Sequence, residues 1–308
     1  MKQLKIALIC KNENSKKRDD RSMGYFSYDV PEFTWEHFTP GKNFTIDTFE
    51  LRDKGFDLIF HEDYPYGFYF GDGLPVVFLS IDSTLSKEHF DARHNQANKA
   101  DLILVDHDDI SKFKFDNPTY QFPYCVNDKV FYRDNRERTV DIAYHCSSSA
   151  HAGIEQRKHI RQLLHDLSIK HNWSYRSGVL DIHDYAESFR TAKIVVNQSR
   201  TPTNRPHRIF DAMACGAMVL SSKIPHLYLD RLIDETSETW YSDKCYGEFL
   251  NDKDLEDKLE IVLSKNLTNG QYFYQEYAER GYQTVMQNHT WSIRAKQLRE
   301  IINKEFGI

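Results

Sequence analysis

Short apolar runs alternate with amphipathic stretches along the whole chain, and this rhythm narrows the fold more than any other feature. Lys5–Cys10, Asp57–His61, Pro75–Ile81 and Asp101–Asp106 are each brief and mostly apolar. A strand apolar on both faces needs cover on both, the condition inside a parallel sheet layered by helices. Between two of them, Leu85–Lys99 has helical spacing, opened by Ser86 with His89. A second series starts at Val140–Cys146, followed by a helix over Ile154–His171 with Ile160, Leu163, Leu164 and Leu167 on one face. Strands at Trp173–Arg176, Ile194–Asn197 and Met218–Ser221 then alternate with helices at Ile182–Arg190 and Pro206–Cys215. Leu255–Ser264, Gln271–Asn288 and Ser292–Glu305 read as closing helices. The pattern predicts an α/β chain of two doubly wound, Rossmann-like domains. At 308 residues each has room for its own core, and the charged stretch Lys129–Thr139 marks the boundary.

Residues 205–222 read RPHRIFDAMACGAMVLSS. Arg205, His207 and Arg208 open a short helix, Asp211 lies within it, and Cys215-Gly216-Ala217 returns the chain to an apolar strand. Unpaired N–H groups and the helix dipole at such an N-terminus favour anions. Guanidinium forks placed there can grip a diphosphate through two bonds each. A carboxylate one turn further in can accept hydrogen bonds from ribose hydroxyls. The same residues also suit an amphipathic helix with solvated arginines and a glycine after its end. A second element, the small hydroxyl-rich turn from Ser147 through Ser148 to Gly153, follows the strand Val140–Cys146. Its backbone N–H groups suit a phosphate, and a serine there equally suits a helix N-cap.

Asp211-Ala212-Met213-Ala214-Cys215-Gly216 resembles the donor-binding motif of GT-B nucleotide-sugar glycosyltransferases, an acidic residue followed by Ala-Met-Ala-x-Gly. Residues 140–300 resemble group 1 glycosyltransferases, in particular their small spore-maturation-protein-like branch. The matching pieces are Tyr185, Ala192-Lys193-Ile194-Val195-Val196-Asn197, Arg208-Ile209-Phe210-Asp211, Trp240-Tyr241, Glu279-Arg280-Gly281-Tyr282, His289-Thr290-Trp291 and Arg294-Ala295. The resemblance implies two domains facing a cleft: 1–130 for the acceptor, 131–290 for the donor, and 291–308 as a helix packing back on the first. It implies a nucleotide-diphosphate sugar as co-substrate and no further cofactor. It places Arg157 beside the diphosphate, Gly178 and Val179 against the base through their backbone, and Tyr185 nearby. The loop from Asn197 to Asn204 would border the sugar. Thr203 stands where many retaining relatives carry a second acidic residue, and Asp211 replaces the more usual Glu, so inverting and retaining courses both stay open.

Charge limits the partners. Residues 1–130 hold 16 Lys/Arg against 22 Asp/Glu, whereas residues 131–308 hold 24 of each. An acidic first half does not suit a duplex, whose phosphates need neutralising cations. Lys11–Arg21, with five basic and three acidic residues, precedes Tyr25, Phe26, Tyr28, Phe33, Trp35 and Phe38. Such a mixture can stack sugars or bases, or simply lead into a packed aromatic region. Five scattered cysteines without a C-x-x-C pair imply reduced thiols and a cytoplasmic setting. No apolar run approaches the ~20 residues that span a bilayer, and the start MKQLKIALIC reads as a strand rather than a signal peptide.

Ligands of open α/β sheets sit beyond the C-terminal ends of the strands. In the first domain those ends supply Asp82, then Asp63 and His61, as candidates for the base that accepts a hydroxyl proton. Each suits a helix cap or loop as well. His107-Asp108-Asp109 is one contiguous loop lacking the dispersed ligands of a transition metal, so no metal site is assigned. Arg157, Arg205 and Arg208 would stabilise the leaving diphosphate instead. The expected protein is a metal-independent glycosyltransferase acting on a glycan or small-molecule hydroxyl. Two alternatives are transfer to modified bases of DNA, and a non-catalytic nucleotide-sugar-binding protein of the same fold.

Overall fold

The computed structural model describes residues 2–9, 30–38, 45–62, 68–80, 91, 94–105, 115–146, 154–199, 207–222, 245–264 and 270–308. The chain divides into two units, Met1–Tyr124 with Trp291–Ile308, and Cys125–Thr290.

The first unit contains β1 (Leu4–Ile9), β2 (Phe33–Phe38), β3 (Thr45–Asp47), α1 (Thr48–Asp53), β4 (Leu58–Glu62), β5 (Phe68–Phe70), β6 (Val76–Ser80), β7 (Leu102–Val105) and β8 (Thr119–Gln121). Six strands form one parallel sheet in the order β2-β1-β4-β6-β7-β8, while β3 and β5 pair separately. Every residue of β4, β6 and β7 is buried, as strands covered on both faces require. The chain steps from β1 to β2 on one side and then to β4 on the other, so the order reverses between β1 and β4, where Ile9 faces His61. Asp47 starts α1 by accepting from the N–H groups of Phe49 (2.9 Å) and Glu50 (3.3 Å). Of the predicted helix 85–99, residues 91 and 94–97 are helical, and 85–90 and 92–93 lie outside the described residues.

The aromatic run before residue 40 has a structural outcome where it is described. Phe33, Trp35 and Phe38 belong to the edge strand β2. The Trp35 ring meets Phe33 and Phe60 edge-on at 5.3 and 5.8 Å, and Phe38 meets Phe56 at 5.7 Å. These three rings pack the sheet. Lys11–Arg21, Tyr25, Phe26 and Tyr28 lie outside the described residues.

The second unit runs β9 (Val140–His145), α2 (Ile154–His171), β10 (Tyr175–Gly178), α3 (Ile182–Thr191), β11 (Ala192–Asn197), α4 (His207–Ala214), β12 (Met218–Ser222), β13 (Gly247–Phe249), α5 (Asp252–Leu263) and α6 (Phe273–Asn288). Its sheet is parallel throughout, in the order β10-β9-β11-β12-β13, and reverses between β9 and β11. Ile142, Tyr144, Ile194, Val196, Met218 and Leu220 point into one core together with Ile160, Leu164 and Leu167 of α2.

Arg138 ties the other end of this unit together. Its guanidinium donates to the carbonyls of Phe189 (3.1 Å), Arg190 (3.2 Å), Ala192 (2.6 Å) and Cys215 (2.6 Å), the orphan acceptors at the ends of α3 and α4. Gly216 leaves α4 with φ +71, and a Cβ there would lie 2.6 Å from Arg133 and 2.8 Å from Arg138. Glycine is therefore required both by backbone conformation and by the close approach of the arginines.

Helix α7 (Trp291–Phe306) belongs to the first unit. Buried Arg294 donates to the Tyr124 carbonyl (3.3 Å) and lies over the Phe122 ring, while the Tyr120 hydroxyl donates to Glu305 and accepts from Lys304 (2.6 Å).

Candidate functional site

Doubly wound sheets bind ligands beyond the C-terminal strand ends where the order reverses, here at the ends of β9 and β11. Asn197 ends β11 and is fully buried. Its amide nitrogen donates to the Ser221 hydroxyl at the end of β12 (2.8 Å), and Ser221 passes its own proton to the Ser222 carbonyl (2.9 Å). The amide orientation is thereby set, leaving Asn197 Oδ1 to accept from Arg208 Nη1 (3.0 Å). Arg208, in the first turn of α4, is half-buried with its guanidinium carbon 5.8 Å from the Tyr144 ring centre. Burial pushes the Tyr144 phenol up, and the Arg208 and Arg157 guanidinium groups both oppose that rise. Arg208 thus lies over an aromatic ring at the sheet reversal. Tyr144 also donates to the Arg157 carbonyl (3.4 Å), which ties α2 to β9.

His207 opens α4 and is half-buried like Arg208. Asp211 is the carboxylate expected to reach a ribose. It is completely buried inside the α4 packing, close enough to Cys215 to influence its thiol. Burial pushes that thiol up; Arg190 and Arg138 counter the effect and Asp211 adds to it. Tyr185, expected near a base, is likewise in the core, against Phe189 (4.3 Å) and Phe131 (6.0 Å). Gly178 ends the edge strand β10, and Val179, which follows it, is 66% exposed. Ser148, Arg205 and the rest of the 200–206 loop lie outside the described residues.

A residue absent from the predicted site joins these parts. His145, the last residue of β9, is buried and bonds to both Gly178 and Ser188 of α3. A histidine at the end of an apolar strand was the available signal.

In the first unit His61 occupies the reversal point but is completely buried. Its Nδ1 is bonded by the Tyr69 hydroxyl and lies 3.4 Å from the Gln96 amide, and its ring meets Phe78 edge-on at 5.2 Å. The imidazole expected as a base is thus fully buried and held by packing. Asp63 and Asp82 lie outside the described residues, as does the His107-Asp108-Asp109 loop.

Two other gatherings of charge have structural explanations. A cavity of about 450 Å³ opens at the N-terminal ends of the second sheet, lined by Arg133, Arg136, Arg138, Lys193, Tyr272 and Glu279 among others. Its cations are already engaged: Arg133 with Glu279, Arg136 with Asp134 and Glu187, and Lys193 with Asp141. Among the described residues, His171, Glu256 and Glu260 form one group able to hold a metal. The two carboxylates take opposite ring nitrogens (2.9 and 3.2 Å), Lys170 shares Glu256 (2.6 Å), and Trp173 stacks on the ring at 4.3 Å. In the structure these side chains bond to one another and to Lys170.

With this geometry in place, comparison with known proteins identifies the class. Residues 130–300, more than half of the chain, match a glycosyl transferase-like family model, and the chain belongs to that family. No curated protein sequence matches significantly. Among solved structures, sucrose-phosphate synthase from Thermosynechococcus elongatus is 13% identical with a TM-score of 0.64, covering 99% of this chain and 100% of that one. Anabaena HepE in complex with UDP is 12% identical with a TM-score of 0.60, covering 98% and 100%. An alpha-glucosyltransferase in complex with UDP-glucose and DNA containing an abasic site is 12% identical with a TM-score of 0.61, also covering 98% and 100%. At such identities the likeness establishes the fold, that of GT-B glycosyltransferases with two parallel α/β sheets. Among the described residues, no helix is long and apolar enough to cross a membrane.

Proposed function

We propose that the chain moves a sugar from a nucleotide-diphosphate sugar to a hydroxyl acceptor, with the donor held by the second unit. The observation that carries this reading is the place of Arg208 at the sheet reversal, over Tyr144 and oriented by Asn197 and Ser221. When the bond between the anomeric carbon and the diphosphate breaks, negative charge grows on the leaving oxygen. Donors already fixed in place stabilise that charge without reorganising. Guanidinium groups supply here what a divalent cation supplies elsewhere, so the proposed transfer is metal-independent and uses no cofactor beyond the donor. Arg205, His207 and Ser148 are proposed to complete the anion site, and Asp82 or Asp63 to accept the hydroxyl proton. The proposed acceptor is a glycan or small molecule in the cytoplasm. Two neighbours solved with UDP or UDP-glucose make uridine diphosphate the first nucleotide to try.

The test is a thermal-shift panel of nucleoside diphosphates and nucleotide sugars, with transfer assays, on the wild type and Arg208→Ala. A ligand at a hundredfold excess over its Kd stabilises a protein by ~2.7 kcal/mol. One diphosphate family stabilising only the wild type is the expected result; full transfer by Arg208→Ala would remove the assigned role. Stabilisation with neither transfer nor donor hydrolysis would leave a nucleotide-sugar-binding protein.

A nucleic-acid acceptor is the second reading, favoured by the neighbour solved with DNA and opposed by the excess of acid in residues 1–130. Transfer to DNA bearing hydroxymethylated bases, falling steeply with added salt, would establish it.

A further inference from the structure

His145 links three elements around the proposed donor site. Its ring is 2% exposed at the end of β9. Nδ1 lies 3.2 Å from the Gly178 carbonyl at the end of β10, and Nε2 lies 2.6 Å from the Ser188 hydroxyl in α3. A carbonyl only accepts, so Nδ1 carries the hydrogen, and Nε2 of the neutral ring is left to accept from Ser188. Tyr185 and Phe189 hold the ring from the side, at 5.8 and 5.9 Å. Pairing of β10 with β9 ends at Gly178 opposite His145, and the exposed Val179 comes next. Gly178 has φ +152, and a Cβ built on it would meet nothing within 4 Å. Glycine thus serves the backbone conformation here rather than a close contact. A segment that leaves its sheet through such a residue has few restraints of its own, and a buried imidazole supplies one.

We infer that His145 is a positioning residue for nucleotide-base selection: by holding the Gly178 carbonyl against β9, it orients the Ser177–Val179 backbone, which the family resemblance sets against the donor base. The inference deepens the donor-site reading above and rests on it. His145 itself need not touch the nucleotide. Its loss would therefore act on donor affinity and on discrimination between bases, leaving the chemical step nearly unchanged. Misplacing one backbone hydrogen bond of ordinary strength corresponds to a change of about tenfold in affinity.

The experiment compares wild type, His145→Phe and His145→Asn. Uridine, adenosine and guanosine diphosphates are titrated by calorimetry, and KM and kcat are measured with the preferred donor. Phe keeps a ring but loses both polar atoms, whereas the Asn amide returns an N–H donor close to the Nδ1 position. The expected result is about a tenfold loss of affinity for the preferred diphosphate in His145→Phe, with a flattened base preference, unchanged kcat and recovery in His145→Asn. Unchanged affinities and base ratios in His145→Phe, or a fall in kcat alone, would overturn the inference while the donor site stands. Failure of the wild type to bind any of the three diphosphates would instead overturn the donor-site reading, and this inference with it. If His145→Phe does not fold, Ser188→Ala serves as the second variant. It removes the Nε2 partner and should shift the base ratio in the same direction by less; an unchanged ratio there would count against the inference.

Discussion

The two units share a topology and differ in what fills its most useful place. Each has a parallel sheet whose order reverses once, between β1 and β4 in the first and between β9 and β11 in the second. At the second reversal the strand ends carry polar groups that hold one another: His145 with Gly178 and Ser188, and Asn197 with Ser221 and Arg208. At the first, the described strand ends combine packed rings with single buried polar groups, Glu62 on β4 and Ser80 on β6. His61 is enclosed by Tyr69 and Phe78. A shared sheet order makes a crevice available, but the side chains at the strand ends decide whether it is an oriented polar site or part of the core. Function follows the site rather than the fold.

The contrast breaks most sharply at Arg208. Arg208→Ala should lower transfer by on the order of 10²–10³-fold, the usual cost of losing one fixed donor to a developing anion. The thermal midpoint without ligand should fall modestly, by the equivalent of about 1–3 kcal/mol, because the buried Asn197 Oδ1 loses its donor, too little to unfold the unit. Initial rates and melting curves on the same samples decide it; a normal rate would end the asymmetry argued here.

Next in size is Arg138→Ala, which leaves four carbonyls at two helix ends without their charged donor. A destabilisation of about 3 kcal/mol is expected from bonds of this kind. Hydrogen exchange should locate it in β9–β12 and leave β1–β7 protected, since Arg138 touches only the second unit. Equal loss of protection in both units would show that they do not open separately.

Tyr69→Phe tests the first unit. Removing the hydroxyl that bonds His61 should cost about 1 kcal/mol in urea unfolding and leave transfer unaltered. A large fall in kcat with normal stability would make the His61 neighbourhood part of the chemistry, contrary to its enclosed geometry.

The smallest expected effect lies on the outer face of the second unit. Hydrogen bonds from Lys170 and His171 bring the Glu256 carboxyl down to about 2 from an ordinary 4.5. A carboxyl lowered on folding stabilises at pH values above its unfolded value and loses that contribution as pH falls through about 2. Glu256→Gln should therefore flatten the acid side of the stability curve between those limits while transfer at neutral pH is unchanged. Matching acid curves for wild type and variant would show that the pair adds nothing.

Much of this architecture is legible in the sequence, for identifiable reasons. The strands in residues 1–110 and 140–222 announce themselves as short apolar runs, and the observed elements fall within one or two residues of most of them. Helix α5 starts at Asp252, earlier than the apolar pattern predicts, because its first turn is polar and is capped by Asn251, which accepts from the Asp254 N–H (3.0 Å). Strands β2, β3, β5 and β8 carry too few apolar residues in succession to be read as strands; neighbours in space recruit them. At the candidate site the cations of α4 are visible in the sequence, but the depth of Asp211 and Tyr185 is not, because helix spacing alone does not reveal how closely the next layer packs.

Taken by itself, then, the sequence determined the parallel α/β class, the family, and the helix start that presents Arg208. Tertiary structure alone decided which polar groups meet. His145 lies 33 residues from Gly178 and 43 from Ser188, and Asn197 lies 24 from Ser221. No local pattern encodes such pairings. They arise because parallel register lines up the C-terminal ends of successive strands, so groups far apart in the chain reach one edge of the sheet together.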